Sequence, residues 1–561
     1  MTDVVAPPGA HRDISRALDE FAALLGPEAV LTADADLREF RDPYSFVGWE
    51  EHTASAIVSP TTVEQVQAIV RIAGAHGVPL WTFSQGRNNG YGGPAPRVRG
   101  SVLVNLRGMN RVLEVDEDLG FALVEPGVRF FDLYEYLGRT LDHRLWLSIP
   151  DLGWGSVIGN TLDHGFGFNP LGDHPGRQCG MEVVLASGDL LRTGMGAMDG
   201  NTAWQTAKRG FGPSVDSLFM QSNFGIVTKM GVWLMPAPEC YMSCDVRVPH
   251  EADLGALVET VRPLLLDRTI DNFPIAYNAT LVTGAFGQAR REDWYDGDGP
   301  LPAEILKRMA DEAGVGWWTM RFALYGTEEI VDAKLRICQR AFGRIPGAEL
   351  AARKYDGRRV AETFAEPATG IEPGLAGALG RLRDQSDRCQ ACVPGLELLD
   401  NLSWDEQGAG GHLDFSPVAS LTGAEALRQN DLLRDMLGRR GFDYAASLML
   451  TPRSFVNITS VWFDTRDEAQ TRRAYDVCRA VAEEAGRHGY GAYRAHLSLM
   501  DTVAEQYGFN DHAYRRFNET LKDALDPNGI LAPGKQGIWP RALRGNGNTN
   551  GHGPINKEEG R

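Results

Sequence analysis

Cysteine is scarce, with seven in 561 residues, too few for a disulfide scaffold. Cys389 and Cys392 form a lone CxxC; with no second pair or histidine cluster beside it, the spacing completes no zinc site, and no metal is predicted. No run approaches the ~20 apolar residues of a membrane-spanning helix. Residues 1–13 lack the basic and apolar segments of a secretory leader. Positive charge is also short, since 56 Lys plus Arg against 74 Asp plus Glu give a net charge of −18. Binding nucleic acid or an anionic membrane unaided requires clustered positive charge, so neither partner is expected. An anionic cofactor is compatible with this balance, because local backbone N–H groups and a few cations suffice to hold it. These absences point to a reduced, cytoplasmic chain with incidental thiols.

What is present is ordinary for a globular protein: 43% hydrophobic and 23% charged residues, in a length of roughly three or four units at about 150 residues each. There is no internal repeat. Residues 545–561 (GNGNTNGHGPINKEEGR) are polar, rich in Gly and Asn and without apolar periodicity, which predicts a disordered tail.

Residues 54–58 read as a short strand stopped by Pro60. Thr61 stands three residues before Glu64, the signature of a capping box. Val63, Val66, Ile69, Val70 and Ala73 follow at helical spacing, and Gly77 ends that helix. Residues 78–83 form the next strand, followed by the glycine-rich loop SQGRNNGYGG and the strand 101–106. Further strands are predicted at 121–125, 180–186 and 190–193, with a helix at 131–137. After Pro236 the texture changes to long helices alternating with β-type runs. From Tyr490 the dense Gly/aromatic/charged style returns, which reads as one discontinuous domain with a second inserted in it.

Neither GxGxxG between strand and helix nor GxxxxGK[ST] occurs. In their place stand two glycine-rich loops, each after a strand. Gly86, Gly90, Gly92 and Gly93 free the backbone to turn and to approach a ligand, so that successive N–H groups can cradle a pyrophosphate. Arg87, Asn88 and Asn89 add donors. A purely structural loop is the alternative; two such loops and the Pro126-Gly127 turn favour a dinucleotide site.

Taken together, SQGRNNGYGG, VEPGV, PDLGWGSVIGN, GMEVV, QSNFGIVTKMG, GGHLDFSP, GYGAYRAHL and DPNGILAPGK resemble, in order and approximate spacing, the vanillyl-alcohol oxidase / para-cresol methylhydroxylase flavoprotein family, and most of all its bacterial eugenol oxidase branch. The match runs from about Ala54 to Pro540. It implies an α+β fold in which an FAD-binding domain (1–237 and 490–544) is split around a substrate, or cap, domain (238–489). The pyrophosphate of FAD would lie on the loop Gln85, Gly86, Arg87, Asn88, Asn89 and Gly90. Further cofactor contacts would come from Pro150, Gly155, Ser156, Gly159 and Asn160, from Gly225, Ile226 and Val227, and from Lys535, which could equally face solvent.

The resemblance also assigns chemistry. His412 matches the histidine that relatives attach to the flavin 8α carbon; relatives that use a tyrosine from this domain instead typically have a cytochrome acceptor, so the resemblance to the histidine favours an oxidase. Tyr91, Tyr493 and Arg494 match the family's phenolate-binding trio, whose donors favour an ionised phenol oxygen. Arg494 would also face the reduced flavin. Asp151 matches a carboxylate that acts as general base on water attacking a para-quinone methide; an Asx-type turn after Pro150 is the alternative. Asp414, two residues after His412 and so on the same strand face, would either bind a substrate substituent or point into solvent. The family's assisting N-terminal histidine has no counterpart in residues 41–46 (RDPYSF), and His52 is out of register, so no residue is assigned to activate His412. His174 and Cys179 receive no role, and His496 reads as a structural hydrogen-bonder.

The expectation is an FAD-dependent oxidase of para-substituted phenols such as eugenol, vanillyl alcohol or 4-alkylguaiacols. Hydride would leave the benzylic carbon for flavin N5, and O2 would be reduced to hydrogen peroxide. By resemblance a homodimer is implied. The alternatives are a cytochrome-coupled dehydrogenase of the same fold and a non-catalytic flavin- or phenol-binding protein.

Overall fold

The computed structural model describes residues 14–44, 52–297, 299–402 and 410–544. The tail expected at 545–561 lies outside them. Among the described residues no helix is long and apolar enough to cross a membrane.

The first sheet is built as the sequence predicts. Strands Ala56–Val58 and Leu80–Phe83 both pair parallel with Val102–Asn105, and the crossover is the helix Val63–His76. Its cap lies one residue later than the Thr61/Glu64 reading. Thr62 is extended, its hydroxyl accepts from Gln65 N, and Gln65 reaches back to the Thr62 backbone; Gln65 Oε1 also accepts from Thr61 N at 2.7 Å. Gly77 takes the left-handed conformation (φ +65°) that ends the helix. A five-stranded antiparallel sheet follows, in the order Val112–Asp116, Phe121–Val124, Ile226–Trp233, Gln178–Val184, Leu190–Arg192.

Between Cys240 and Asp464 all strands belong to a third sheet of eight. Its path is Glu349–Asp356, Cys240–Val248, Trp318–Gly326, Ile275–Asn278, Ala445–Leu450, Ser454–Asp464, Gly410–Phe415, with Val418–Ser420 also paired to Ser454–Asp464. Alternation along its strands sends side chains to two unlike faces. Ala276, Met320, Phe322, Leu324, Leu448 and Leu450 pack in a dry core with the helices Asp253–Leu266 and Glu328–Phe342. Their neighbours Ile275, Tyr277, Ser447 and Met449 face a cavity.

The chain then returns to the first sheet. Leu80 donates its N–H to Ile530 O and accepts from Ala532 N, each at 2.7 Å. Lys522, fully buried, secures this return: its Nζ donates to Asn223 O (2.8 Å) and Leu531 O (2.6 Å) and pairs with Asp526 at 2.8 Å. Asn223 Nδ2 in turn donates to Ala532 O and Ile538 O. Removing one partner of a buried pair strands the other charge, typically at a cost of ~3–5 kcal/mol. Lys522→Met is therefore expected to lose about 3 kcal/mol, seen as a clearly lowered thermal midpoint; an unchanged midpoint would contradict this role.

Candidate active site

A cavity of about 490 Å3 lies between the two smaller sheets, the C-terminal return and the exposed face of the eight-stranded sheet. Of the site residues singled out from the sequence, all line it except Gly92 and Gly127, which stand behind the wall, and Asn89, whose side chain lies outside the described residues.

The glycine-rich loop is shaped by contacts at both ends. Arg107 donates through Nε and Nη2 to Gln85 O (3.2 and 3.0 Å), and Gln85 Nε2 donates to Gly127 O at 2.7 Å. The Gln85 amide is thus spent on holding the loop. At Gly86 φ is +66°, and the N–H groups of Gly86, Arg87 and Asn88 have no acceptor among the described residues. Such a run of free N–H groups is a nest for an anion. Opposite it, Ser156 Oγ donates to Pro126 O (2.6 Å) and accepts from Gly159 N (3.0 Å), which starts the helix Val157–Leu162. A Cβ at Gly159 would stand 2.3 Å from Ser84 Oγ. Asn160 Oδ1 is held by His174 Nδ1 at 2.6 Å, and His174 Nε2 meets Ser148 Oγ at 3.0 Å. His174, without a role in the sequence reading, therefore orients Asn160.

At the far side the backbone after the His412 strand fixes the phenolic groups. Tyr493 N donates to Ser416 O at 3.1 Å, and Gln221 Nε2 donates to Tyr493 O at 2.7 Å. The Arg494 guanidinium lies 5.4 Å from the ring centres of both Tyr91 and Tyr493, and its Nε donates to Asp163 O. Lys535 Nζ is 3.8 Å from Asp163 Oδ1. Burial, Tyr493 and Asp414 push the Tyr91 hydroxyl well above its ordinary 10, partly opposed by Arg494. Burial works against the charge of Arg494, but the two tyrosines and Asp163 raise it above the usual guanidinium value. The cluster thus presents a neutral hydroxyl donor beside a permanent cation.

His412 and Asp414 share the cavity face of Gly410–Phe415, with His412 Nε2 3.9 Å from Asp414 Oδ2. Asp414 is buried and accepts from Ser460 Oγ at 2.6 Å, so it lies in the cavity wall and not in open solvent. A Cβ at Gly90 would stand 2.6 Å from Asp414 Oδ2 and 3.1 Å from His412 Nε2, so only glycine lets the loop pass there. His412 Nδ1 meets the Tyr44 hydroxyl at 3.0 Å. Burial, Asp414 and Asp42 hold that hydroxyl far above its ordinary value, so Tyr44 stands as a neutral hydroxyl beside Nδ1. Tyr44 is fixed by Asp42, which accepts from its N–H (3.0 Å) and from Tyr475 Oη (3.0 Å) and meets His496 Nε2 at 3.1 Å. His496 is thus a buried hydrogen-bonder of this support.

Asp151 is less free than its place in PDLG suggests. Arg321 Nη2 donates to its Oδ1 at 2.8 Å and Gln385 Nε2 to the same atom at 2.9 Å. Arg321, Gln385 and Tyr44 are the functional residues that sequence reasoning missed. An arginine inside the apolar run WWTMRFALYG was the available signal for the first.

The lining fits FAD. Besides the anion nest, Trp154 Nε1, Asn223 Oδ1, Gln385 Oε1 and Trp462 Nε1 are buried in the wall without hydrogen-bond partners among the described residues. Orphaned donors and acceptors of this kind require a ligand with polar edges.

Burial, with Arg494, lowers His174 from 6.5 to about 3. The unfolded chain binds this proton near 6.5 and the folded chain only near 3. The stabilisation is therefore complete above pH 6.5 and is lost as pH falls towards 3, by up to about 1.4 kcal/mol per pH unit. The thermal midpoint is expected to drop on acidification from pH 6.5 to 4, with a shallower slope in His174→Gln; equal slopes would contradict a buried neutral His174.

Residues 54–194 match the FAD binding domain family and residues 457–536 the C-terminal domain of FAD linked oxidases. The chain is 36% identical over 538 residues to the flavoprotein subunit of 4-cresol dehydrogenase (hydroxylating) from Pseudomonas putida, covering 96% of this chain and 98% of that one. Among solved structures it resembles the 4-ethylphenol oxidase from Gulosibacter chungangensis in its isoeugenol complex (39% identity, TM-score 0.88, 96% and 100% coverage). It also resembles p-cresol methylhydroxylase with substrate bound (34% identity, TM-score 0.86, 95% and 99% coverage). With such identity across nearly the whole of both chains, the protein belongs to the vanillyl-alcohol oxidase / para-cresol methylhydroxylase family and is an FAD-dependent oxidoreductase.

Proposed function

We propose that this protein oxidises phenols bearing an alkyl, alkenyl or hydroxyalkyl chain para to the hydroxyl, as 4-ethylphenol, eugenol and vanillyl alcohol do, with O2 as acceptor and hydrogen peroxide as by-product. The observation that carries this reading is the meeting of Tyr91, Tyr493 and Arg494 with Asp151 and His412 in one cavity. The relatives named for 4-cresol and 4-ethylphenol support the substrate class. We take residues 238–489 as the substrate domain and the rest of the described chain as the FAD domain.

To FAD we assign the N–H groups at 86–88, Asn160, the segment 225–227, Lys535 and His412. Bound FAD supplies the acceptor for two electrons and a proton taken as hydride from the benzylic carbon. Tyr91 donates a hydrogen bond to the phenol oxygen and Arg494 supplies the countercharge, so the phenol binds ionised. Ionisation pushes electron density to the para carbon and eases loss of hydride. Asp151 then accepts the proton of a water adding to the resulting para-quinone methide. His412 presents Nε2 to the cavity, the nitrogen suited to a covalent link with the flavin, while Tyr44 occupies Nδ1.

The P. putida relative is a flavoprotein subunit, which favours, as a second reading, transfer of the electrons to a partner protein. Peroxide decides between them. One peroxide per phenol oxidised in air supports the oxidase, and its absence with rapid turnover on an artificial acceptor supports the second reading. Anaerobic mixing with 4-ethylphenol is expected to bleach the flavin, about 10²–10³-fold more slowly in Tyr91→Phe and Arg494→Gln; no bleaching by any para-alkylphenol would reject the function. In a denaturing gel the wild-type band is expected to fluoresce as flavin and His412→Ala to be dark; a dark wild-type band would reject the covalent link.

A further inference from the structure

The cavity face of the eight-stranded sheet carries a deeply buried cation. Arg321, in the strand Trp318–Gly326, is only 1% exposed. Its guanidinium lies 4.2 Å from the Phe168 ring centre and 5.4 Å from that of Tyr277. Nη1 reaches Ser386 Oγ at 3.4 Å and Nε has no partner among the described residues. Its carboxylate partner is Asp151, 26% exposed towards the cavity. A buried guanidinium is tolerated only with its countercharge in place, so Arg321 and Asp151 fix one another.

The hydrogen bonds fall on a single oxygen. Arg321 Nη2 and Gln385 Nε2 both donate to Asp151 Oδ1, at 2.8 and 2.9 Å, and Cys389 Sγ, one turn beyond Gln385 on the helix Ala378–Gln390, lies 3.8 Å from it. Asp151 Oδ2 receives no hydrogen bond from any described residue. A carboxylate clamped through one oxygen has its second oxygen fixed in direction, which is what aligning a water against one carbon demands.

We propose that Arg321 and Gln385 are positioning residues that hold Asp151 through Oδ1, leave Oδ2 as its working oxygen, and thereby decide how the oxidised substrate is resolved. The inference rests on the para-alkylphenol reading above. Once hydride has left Cα for FAD, the neutral quinone methide has two exits. In the first, the oxygen of water bonds to Cα, one water proton passes to Asp151 Oδ2, and the ring electrons return to the phenol oxygen, giving the phenolate of a benzylic alcohol. In the second, a proton passes from Cβ to the Asp151 carboxylate, the C–H electron pair forms the Cα–Cβ double bond, and the ring electrons return to the phenol oxygen, giving a 4-vinylphenolate. Water addition needs a fixed oxygen that orients the water; loss of a Cβ proton tolerates a carboxylate that swings. The clamp therefore favours the alcohol.

The test is the ratio of 1-(4-hydroxyphenyl)ethanol to 4-vinylphenol formed from 4-ethylphenol by FAD-loaded wild type, Arg321→Lys, Arg321→Met and Gln385→Leu. The ratio is read per turnover, so partial unfolding does not move it. It is expected to fall about tenfold in Arg321→Met, with partial recovery in Arg321→Lys, and about threefold in Gln385→Leu. Should the arginine variants fail to load FAD, Gln385→Leu alone carries the test. A wild-type ratio in Gln385→Leu and in every arginine variant that loads FAD would overturn the clamp while leaving the phenol reading intact. A wild type whose flavin is not bleached by 4-ethylphenol would overturn the phenol reading first, and the clamp with it.

Discussion

The site depends on a sheet whose two faces are chemically unlike. Along Ile275–Asn278, Trp318–Gly326 and Ala445–Leu450 the alternate side chains Ala276, Trp318, Met320, Phe322, Leu324, Leu448 and Leu450 are apolar and pack dry against helices. A side chain facing a core in this way is worth ~1.5–3 kcal/mol of apolar burial, and a one-residue slip in register would reverse the faces. The same constraint fixes what stands on the other face: Ile275, Tyr277, Ser447, Met449, His412, Asp414 and the cation of Arg321. The packing of the dry face therefore sets the directions of the groups that face the ligand.

Glycine and buried charge then bring the two halves of the cavity together. Gly90 lets the anion-nest loop run directly over His412 and Asp414. Lys522 and Asn223 tie the segment 531–538 to the loop before Gly225, and so place Lys535 beside Asp163. Asp42 secures Tyr44 against His412 from the side away from the cavity. In each case a polar group with little access to water joins segments that are distant in the chain, and its cost is tolerable only because several hydrogen bonds are satisfied at once.

This division explains what the sequence shows and what it hides. The first crossover, the strand His412–Asp414 with both side chains on one face and the glycine-rich loops were legible, because they depend on local periodicity, caps and glycine spacing. The exact cap was not: Thr61, Thr62, Glu64 and Gln65 offer two overlapping boxes, and the extended Thr62 decides between them. Tyr44, Arg321 and Lys522 were invisible as site or anchor residues, since His412, Asp151 and Asn223, the partners that give them those roles, are 368, 170 and 299 residues away. Lys522 lies in a polar helix and reads as surface until the C-terminal return covers it. Asp151 was found through its motif, but the donors that hold it come from another sheet and another helix.

The central claim is that the cavity binds its phenol as the anion. A 4-halophenol has no benzylic hydrogen, so it occupies the site without turnover. Its ultraviolet difference spectrum on binding, recorded at a pH two units below its solution pKa by the choice of halide and buffer, reports its ionisation directly. The account predicts the phenolate spectrum, with the proton released to buffer on binding. A spectrum of the neutral phenol at saturation would contradict it, and would leave Tyr91, Tyr493 and Arg494 as packing around a ligand bound for another reason.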